Sequence, residues 1–471
     1  MRIVRGVLVA ATFALVTGCA VGPNYKRPAF DATAAYKEAD GWKPSEPNDA
    51  MDRGKWWEIF HDDVLNGLEE QLDISNENLK AAAAAVEISR ALVRQARAGY
   101  WPSVSASAGR TRSVTGDGKF DAVTGIDKTN TTTSAGISGS WDIDLWGRIR
   151  RTSESDRASL AASEAALASA RLAAQAELAT DYFELRAQDQ LQIILDDIVA
   201  AEQQSLKITE NRYRVGVAAK ADVVTAQTQL LSSQAEQVNA PLQRAILEHA
   251  IAVLVGQQPA NFSIKPAPMR SDVPTVPAGM PSKLLERRPD VADAERQVAA
   301  ANAKIGVAIS AFFPSLTLNA SDDYQGNTIS HLIRTANRVW AIGPTVALSV
   351  FDGGLRRAEV AQARAAYEQS VDNYRQTVLT SLQQVEDDLV SLRVLEQRAT
   401  IEDAAVKAAR EAETLTLNQY KAGTVPYSSV ISAQTTRLTS EQNALNVLSG
   451  RLQASVALIQ ALGGGWQAQA Q

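Results

Sequence analysis

Apolar residues in the second half of the chain follow two different rhythms. Val378, Leu382, Val385, Leu389 and Leu392 recur at spacings of 4, 3, 4 and 3, the seam of a coiled coil. Trp340, Ile342, Val346, Leu348 and Val350 instead alternate with Ala341, Gly343, Thr345, Ala347 and Ser349, and a period of two with one apolar face predicts a strand. Both rhythms also occur earlier. Leu178, Tyr182 and Leu185 hold the places equivalent to Val385, Leu389 and Leu392, while Ser103-Val-Ser-Ala-Ser-Ala108 and Ser134-Ala-Gly-Ile-Ser-Gly-Ser-Trp141 alternate as Ser315-Leu-Thr-Leu-Asn-Ala320 does.

The seams lie in two long stretches, 148–215 and 355–422, that contain no Gly or Pro and are bounded by Gly147 and Gly216 and by Gly354 and Gly423. A helix of that length extends about 100 Å and needs neighbours along its course. The two copies are related throughout. Tyr213-Arg-Val-Gly216 returns as Tyr420-Lys-Ala-Gly423, Thr225-Ala-Gln227 as Ser432-Ala-Gln434 and Leu254-Val-Gly256 as Ala461-Leu-Gly463, at an offset of 207. Upstream, Tyr100-Trp-Pro-Ser-Val104 returns as Phe312-Phe-Pro-Ser-Leu316 at an offset of 212. A unit of about 200 residues used twice fixes the architecture.

The expected division is a first repeat over 61–258 and a second over 284–465, joined by a Pro-rich linker at 259–283, with a tail at 466–471. The first holds a helix over 62–99, strands 103–113 and 132–143, the long helix 148–215 and a return helix 218–255 interrupted at Pro241. The second holds a leading helix from Glu286-Arg-Arg-Pro-Asp290, strands 315–324 and 339–351, the long helix 355–422 and a return helix 427–462. The leading and return helices, stacked end to end, have the length to line one rod. Polar loops join the strands of each hairpin.

The amino terminus places these elements. Met-Arg-Ile-Val-Arg, an apolar run to Val16 and then Thr17-Gly-Cys19 read as a signal peptide over 1–18. Cys19 is the only cysteine, so no intrachain disulfide forms, and Val-Thr-Gly-Cys resembles a bacterial lipobox. That likeness implies N-acyl and S-diacylglycerol groups on Cys19, with residues 19–60 as a lipidated tether. Ala20 in place of Asp favours the outer membrane. Loss of Arg2 and Arg5 with the signal takes the formal charge from −6 to −8, and an acidic chain without clustered Lys and Arg is poorly suited to nucleic acid. No later apolar run reaches the ~20 residues of a spanning helix, so any crossing uses strands. Four strands cannot close a barrel and an open edge in lipid leaves backbone groups unpaired; three chains supply twelve.

Val21-Gly-Pro-Asn-Tyr-Lys-Arg-Pro28, Lys55-Trp-Trp-Glu-Ile-Phe60, Asp144-Leu-Trp-Gly-Arg148, Arg287-Arg-Pro-Asp290, Phe351-Asp-Gly-Gly354 and both Tyr-x-x-Gly turns together resemble the outer-membrane factor family, the TolC-like and OprM/NodT-type lipoproteins of bacterial efflux. The resemblance implies a mixed α and β membrane protein: a homotrimer with a 12-stranded β-barrel, four strands from each chain, continued by a long α-helical, coiled-coil barrel. It implies an exit duct in the outer membrane, anchored in its lipid and reaching into the periplasm. The duct would carry small molecules such as drugs from a periplasmic adaptor and an inner-membrane pump of the resistance-nodulation-division (RND) type, without catalysis or cofactor. Carried over by residue, Tyr213, Val215, Gly216 and Asp222 of the first copy and Tyr420, Ala422 and Gly423 of the second form the periplasmic entrance and adaptor contact. Relatives often carry Asp where this chain has Ser429 and Ser432, which implies a less charge-selective entrance.

Rival readings differ in class. His61, His249 and His331 are scattered without ligand spacing, and no hydrolase, phosphate-loop or metalloprotease motif occurs, so an enzyme has no constellation to work with. A structural coiled-coil lipoprotein or adhesin shares the acylation and the rods, and a duct for type I protein secretion shares the architecture.

Overall fold

In the computed structural model, the described residues are 20–28, 54–114, 129–274 and 288–464. The signal peptide, Cys19, most of the expected tether, the end of the linker and the tail lie outside them. The described chain falls into two compact units, one of 20–28, 85–114, 129–163 and 293–374, the other of 54–84, 164–274, 288–292 and 375–464.

The helices and strands in chain order are α1 (Asp63–Ser75), α2 (Glu77–Ala98), β1 (Ser103–Val114), β2 (Thr129–Asp142), α3 (Arg148–Arg214), α4 (Lys220–Leu254), α5 (Pro289–Ser310), β3 (Ser315–Gly326), β4 (Arg338–Ala347), α6 (Leu355–Ala422) and α7 (Tyr427–Ala461). Among the described residues no helix is long and apolar enough to cross a membrane.

In the first unit, β1 to β4 form one antiparallel sheet in chain order, leaving β1 and β4 as open edges. Its register sorts the side chains by face. Val104, Gly139, Ala320 and Ile342 stand in one cross-strand row and Ala106, Ile137, Asp322 and Trp340 in the next on that face, whereas Ser105, Ser138, Ser321 and Ala341 make the row between on the opposite face, with Ser103, Ser140, Asn319 and Gly343 beside it there. One face is therefore largely apolar and the other largely hydroxyl and amide. Among the described residues nothing covers the apolar face, with Trp340 66% exposed and Ile342 likewise.

Strand ends differ from expectation. β4 stops at Ala347, not at 351, because its partner β3 begins at Ser315, directly after Pro314, and Ser315 pairs with Ala347; residues beyond have no ladder to join. The other strands run past their expected ends into the polar loops, β3 as far as Gly326.

In the second unit, the turn Trp56–Phe60 lays Trp56, Trp57 and Phe60 into a core with Leu65, Leu68 and Leu72 of α1, Leu178, Tyr182 and Leu185 of α3, and Leu452, Val456 and Ile459 of α7. The carboxylate of Asp62 caps α1 through the Val64 and Leu65 amides and accepts from the Tyr182 hydroxyl at 2.8 Å, tying that core to the helix start. The α6 seam packs Val385, with Leu382, Leu389 and Leu392 beside it, onto Leu458, Ala461 and Leu462.

Two helix expectations need correction. The single helix over 62–99 is two, broken at Asn76, whose backbone is extended and whose side chain accepts from Leu79 N while donating to Leu254 O at 2.8 Å. The return helix is not interrupted at Pro241. Pro241 is exposed within a continuous α4, and burial of Leu230, Ser233, Ala240 and Ile251 carries the helix through.

Candidate functional site

The ends of α3 and α6 are built alike. Gly216 has φ 78° and Gly423 φ 81°, a region glycine enters without strain. After the first helix Val217 N bonds Arg212 O and Gly216 N bonds Tyr213 O; after the second Thr424 N bonds Gln419 O and Gly423 N bonds Tyr420 O. Each pair of bonds closes the helix with a Schellman motif, and the Tyr-x-x-Gly spacing puts each tyrosine on the last turn.

The two tyrosines then part company. Tyr420 is 3% exposed and packs edge-on against Tyr427, with ring centroids 5.2 Å apart, in a cluster with Val430 and Ala226. Its hydroxyl donates to Thr209 Oγ1 at 3.3 Å. Tyr213 is 45% exposed, with the Lys220 ammonium 5.4 Å from its ring centre. Val215 is exposed, and nothing lies within 4 Å of the position a Cβ would take on Gly216. Asp222, in the first turn of α4, accepts from Ala219 N at 3.4 Å. Ala422 and Ser432 are exposed and Ser429 is half-buried.

Arg212, which no sequence motif marks, joins the two hairpin ends. Its Nη1 donates to Lys421 O at 2.7 Å, and its guanidinium carbon lies 4.8 Å from the centre of the Tyr420 ring, a cation–π geometry. Higher on the helices, Gln434 Nε2 donates to Ser205 Oγ at 3.1 Å. Between α6 and α7, Arg437 pairs with Glu413 and Glu441, and Arg410 also reaches Glu441. The equivalents of Glu413, Arg437 and Glu441 in the first copy are Leu206, Leu230 and Gln234, so this ionic network belongs to the second hairpin. The only hint in the sequence was that Arg212 has Gln419, not Arg, as its counterpart. Burial raises the Glu202 carboxyl above its usual range, while hydrogen bonds from Gln229 and Ser233 oppose the shift. These side chains can bind, tether and screen charge.

Comparison with known proteins gives a consistent result. The chain is 29% identical to the toluene efflux pump outer membrane protein TtgC of Pseudomonas putida, covering 98% of this chain and 96% of that one. It is 32% identical to the pyoverdine export outer membrane protein OpmQ of Pseudomonas aeruginosa, covering 90% of each. Among solved structures, the outer-membrane channel OprN superposes with a TM-score of 0.85 at 29% identity, over 95% of this chain and all of that one. The profile of the outer membrane efflux protein family matches residues 68–257 and 280–464, and the chain belongs to that family.

Proposed function

We propose that three copies of this chain form the exit duct of a tripartite efflux system, receiving small molecules from a periplasmic adaptor and an inner-membrane RND-type pump and releasing them outside. The observation that carries the reading is the sheet. It has two open edges, strands of 12, 14, 12 and 10 residues against the ~9–11 needed to cross a bilayer, one apolar face and one polar face. In lipid both edges must pair, and three copies close a twelve-stranded barrel with the polar face inward.

The helices support the same assembly. On α4, Val224, Leu231, Val238, Ile246 and Val253 are all exposed, at spacings of 7, 7, 8 and 7; on α6, Leu379, Val394, Ile401 and Leu415 make a second exposed series at spacings of 15, 7 and 14. Coiled-coil seams of this period call for helical partners, here supplied by neighbouring copies. The hairpin ends then surround the entrance, with Asp222 as its acidic residue and Ser429 and Ser432 contributing no charge. The duct does no chemistry and uses no cofactor, and Cys19 carries the acyl groups that anchor it.

The test joins assembly to transport. Purified protein should run as a heat-dissociable trimer and conduct ions in planar bilayers, and its deletion should sensitise cells to several unrelated compounds. A monomer without conductance, or unchanged tolerance in a strain lacking substitutes, would overturn the reading. A fibre-forming lipoprotein would assemble without conducting.

A further inference from the structure

The first described residues, 20–28, lie in the first unit against α3, α5 and α6, and every second or third residue is held. Val21 N donates to Trp146 O at 3.0 Å. Arg151, 3% exposed, donates from Nε to Val21 O at 3.2 Å and from Nη2 to Gly22 O at 3.2 Å and Asn24 Oδ1 at 2.9 Å, while its Nη1 is paired with Glu154. The buried Asn302 donates to Pro23 O at 3.1 Å, Tyr25 donates its hydroxyl proton to Glu295, and Arg27 reaches the Tyr374 hydroxyl at 3.4 Å.

Glycines clear the path. A Cβ on Gly22, whose φ is +96°, would come 2.5 Å from Gly306 Cα; one on Gly306 would come 2.9 Å from Val21 O; and one on Gly147 would come 2.7 Å from Ala20 Cα. Contacts below 3 Å to backbone leave no room for a side chain. A charged side chain as deeply buried as Arg151 needs its donors satisfied, and here backbone carbonyls of the amino-terminal segment do much of that. If the segment leaves, the guanidinium loses three of its acceptors.

We infer that residues 20–28 are a strap that locks the amino-terminal segment onto the body of the protein, with Ala20 and Val21 held beside Gly147 and Trp146, where β2 hands over to α3. The inference rests on the proposed acylation of Cys19 for its purpose. A lipid on a loose tether lets the sheet find its own depth in the bilayer. A lipid one residue from Ala20, itself against Gly147, sets anchor and sheet in one frame, and the acyl chains enter the membrane at the foot of the strands. Trp146 marks that level, stacked on Phe313 at 4.6 Å between ring centroids and donating to Pro314 O.

The test separates the strap from its covalent connection. A site-specific protease sequence is placed between residues 29 and 53 of the full-length protein, the purified assembly is cleaved in detergent, and the body is re-isolated on a size-exclusion column. The amino-terminal fragment should co-elute with the parent body and should be retained roughly tenfold less by Arg151→Ala and Asn302→Ala, each of which removes hydrogen bonds to the strap, and by Gly306→Leu, which fills its path. Retention equal in parent and variants means that the micelle alone holds the fragment, and loss from the parent means that nothing does; either overturns the strap. Tyr25→Phe, a mild change, gives a partial loss if Arg151→Ala fails to assemble, and full retention there would also count against the strap. The fragment's mass reads acylation separately. An unmodified Cys19 in a fragment still retained would keep the docking and overturn the lipid anchor.

Discussion

Arg212 does more at the hairpin ends than the tyrosines that flag them. Its replacement by Ala removes a hydrogen bond to Lys421 O and a cation–π contact with Tyr420, each of about 1 kcal/mol. The variant should conduct more in planar bilayers, and its hairpin ends should be cut faster by protease; identical conductance would show that this tie does not restrain the proposed entrance. Asp181 and Asp388, 207 positions apart, are a second case where position was readable and behaviour was not. Burial pushes both carboxyls from 3.8 up to about 6, with Glu177 and Glu184 adding to the shift at Asp181 and Asp387 at Asp388, where Arg288 opposes it. Carboxyls with raised values keep protons in the folded state that the unfolded chain has lost, so their contribution is most favourable below about pH 4 and is lost as pH rises to about 6. Asp388→Asn should therefore raise the melting temperature at pH 7.5 relative to the parent and change it little at pH 4, with a gain of at most about 1 kcal/mol because the group is half-exposed. The sequence shows the two Asp at one offset; it does not show that helices from distant segments take away their water.

The same pairing reappears at the joints between helices. Asn76 precedes α2 and donates to Leu254 O at the end of α4; Arg288 precedes α5 and donates to Ala461 O at the end of α7. Asn76 and Arg288 are 212 apart, Leu254 and Ala461 are 207 apart, and so one joint is made twice with different chemistry. Asn76 works with a close backbone approach, since a Cβ on Gly256 would meet Ser75 O at 2.5 Å. Arg288 instead forks onto Asp290 and reaches Gln384. Loss of a forked, partly buried guanidinium with its hydrogen bonds costs more than loss of a neutral cap, so Arg288→Ala should destabilise by about 2 kcal/mol and Asn76→Ala by about 1 kcal/mol, read as thermal unfolding in detergent. Arg288→Lys should fall between the parent and Arg288→Ala, because an ammonium cannot fork. The end-to-end stacking of return and leading helices was expected from their lengths, whereas the break at Asn76 was not, because Leu65, Leu68, Leu72 and Leu79 keep helical spacing across it. Pro241 misled in the opposite direction: a local breaker signal was outweighed by packing on the far side of α4. Strand positions were legible from alternation alone, but the end of β4 depended on where β3 starts.

The case for the proposed trimer rests on what one chain leaves uncovered among its described residues. Four strands with two free edges were countable in the sequence, and the closure argument followed from them. The series on α4 was not recognised, because Val224, Leu231, Val238, Ile246 and Val253 lie among Leu230, Leu242, Ile251 and other apolar residues, and only burial separates those packed within the chain from those left outside. Val238, 79% exposed, contributes nothing to the fold of one copy, so changing it isolates assembly from folding. Leu231→Glu with Val238→Glu should leave the helix content and the core of the second unit unchanged, since exposed substitutions cost a chain little. In the proposed trimer the same change would bury carboxylates in a coiled-coil seam at three equivalent interfaces, and an unpaired buried charge costs several kcal/mol. Ile401→Glu on α6 should have the same effect from the other side of the interface, if α4 of one copy lies against α6 of the next. The measurement is the mass of the detergent-solubilised protein and its conductance: the double variant and Ile401→Glu should both be folded, monomeric and silent, and a conducting trimer from either would mean that the sheet edges alone hold the copies together and that these helical series face something else.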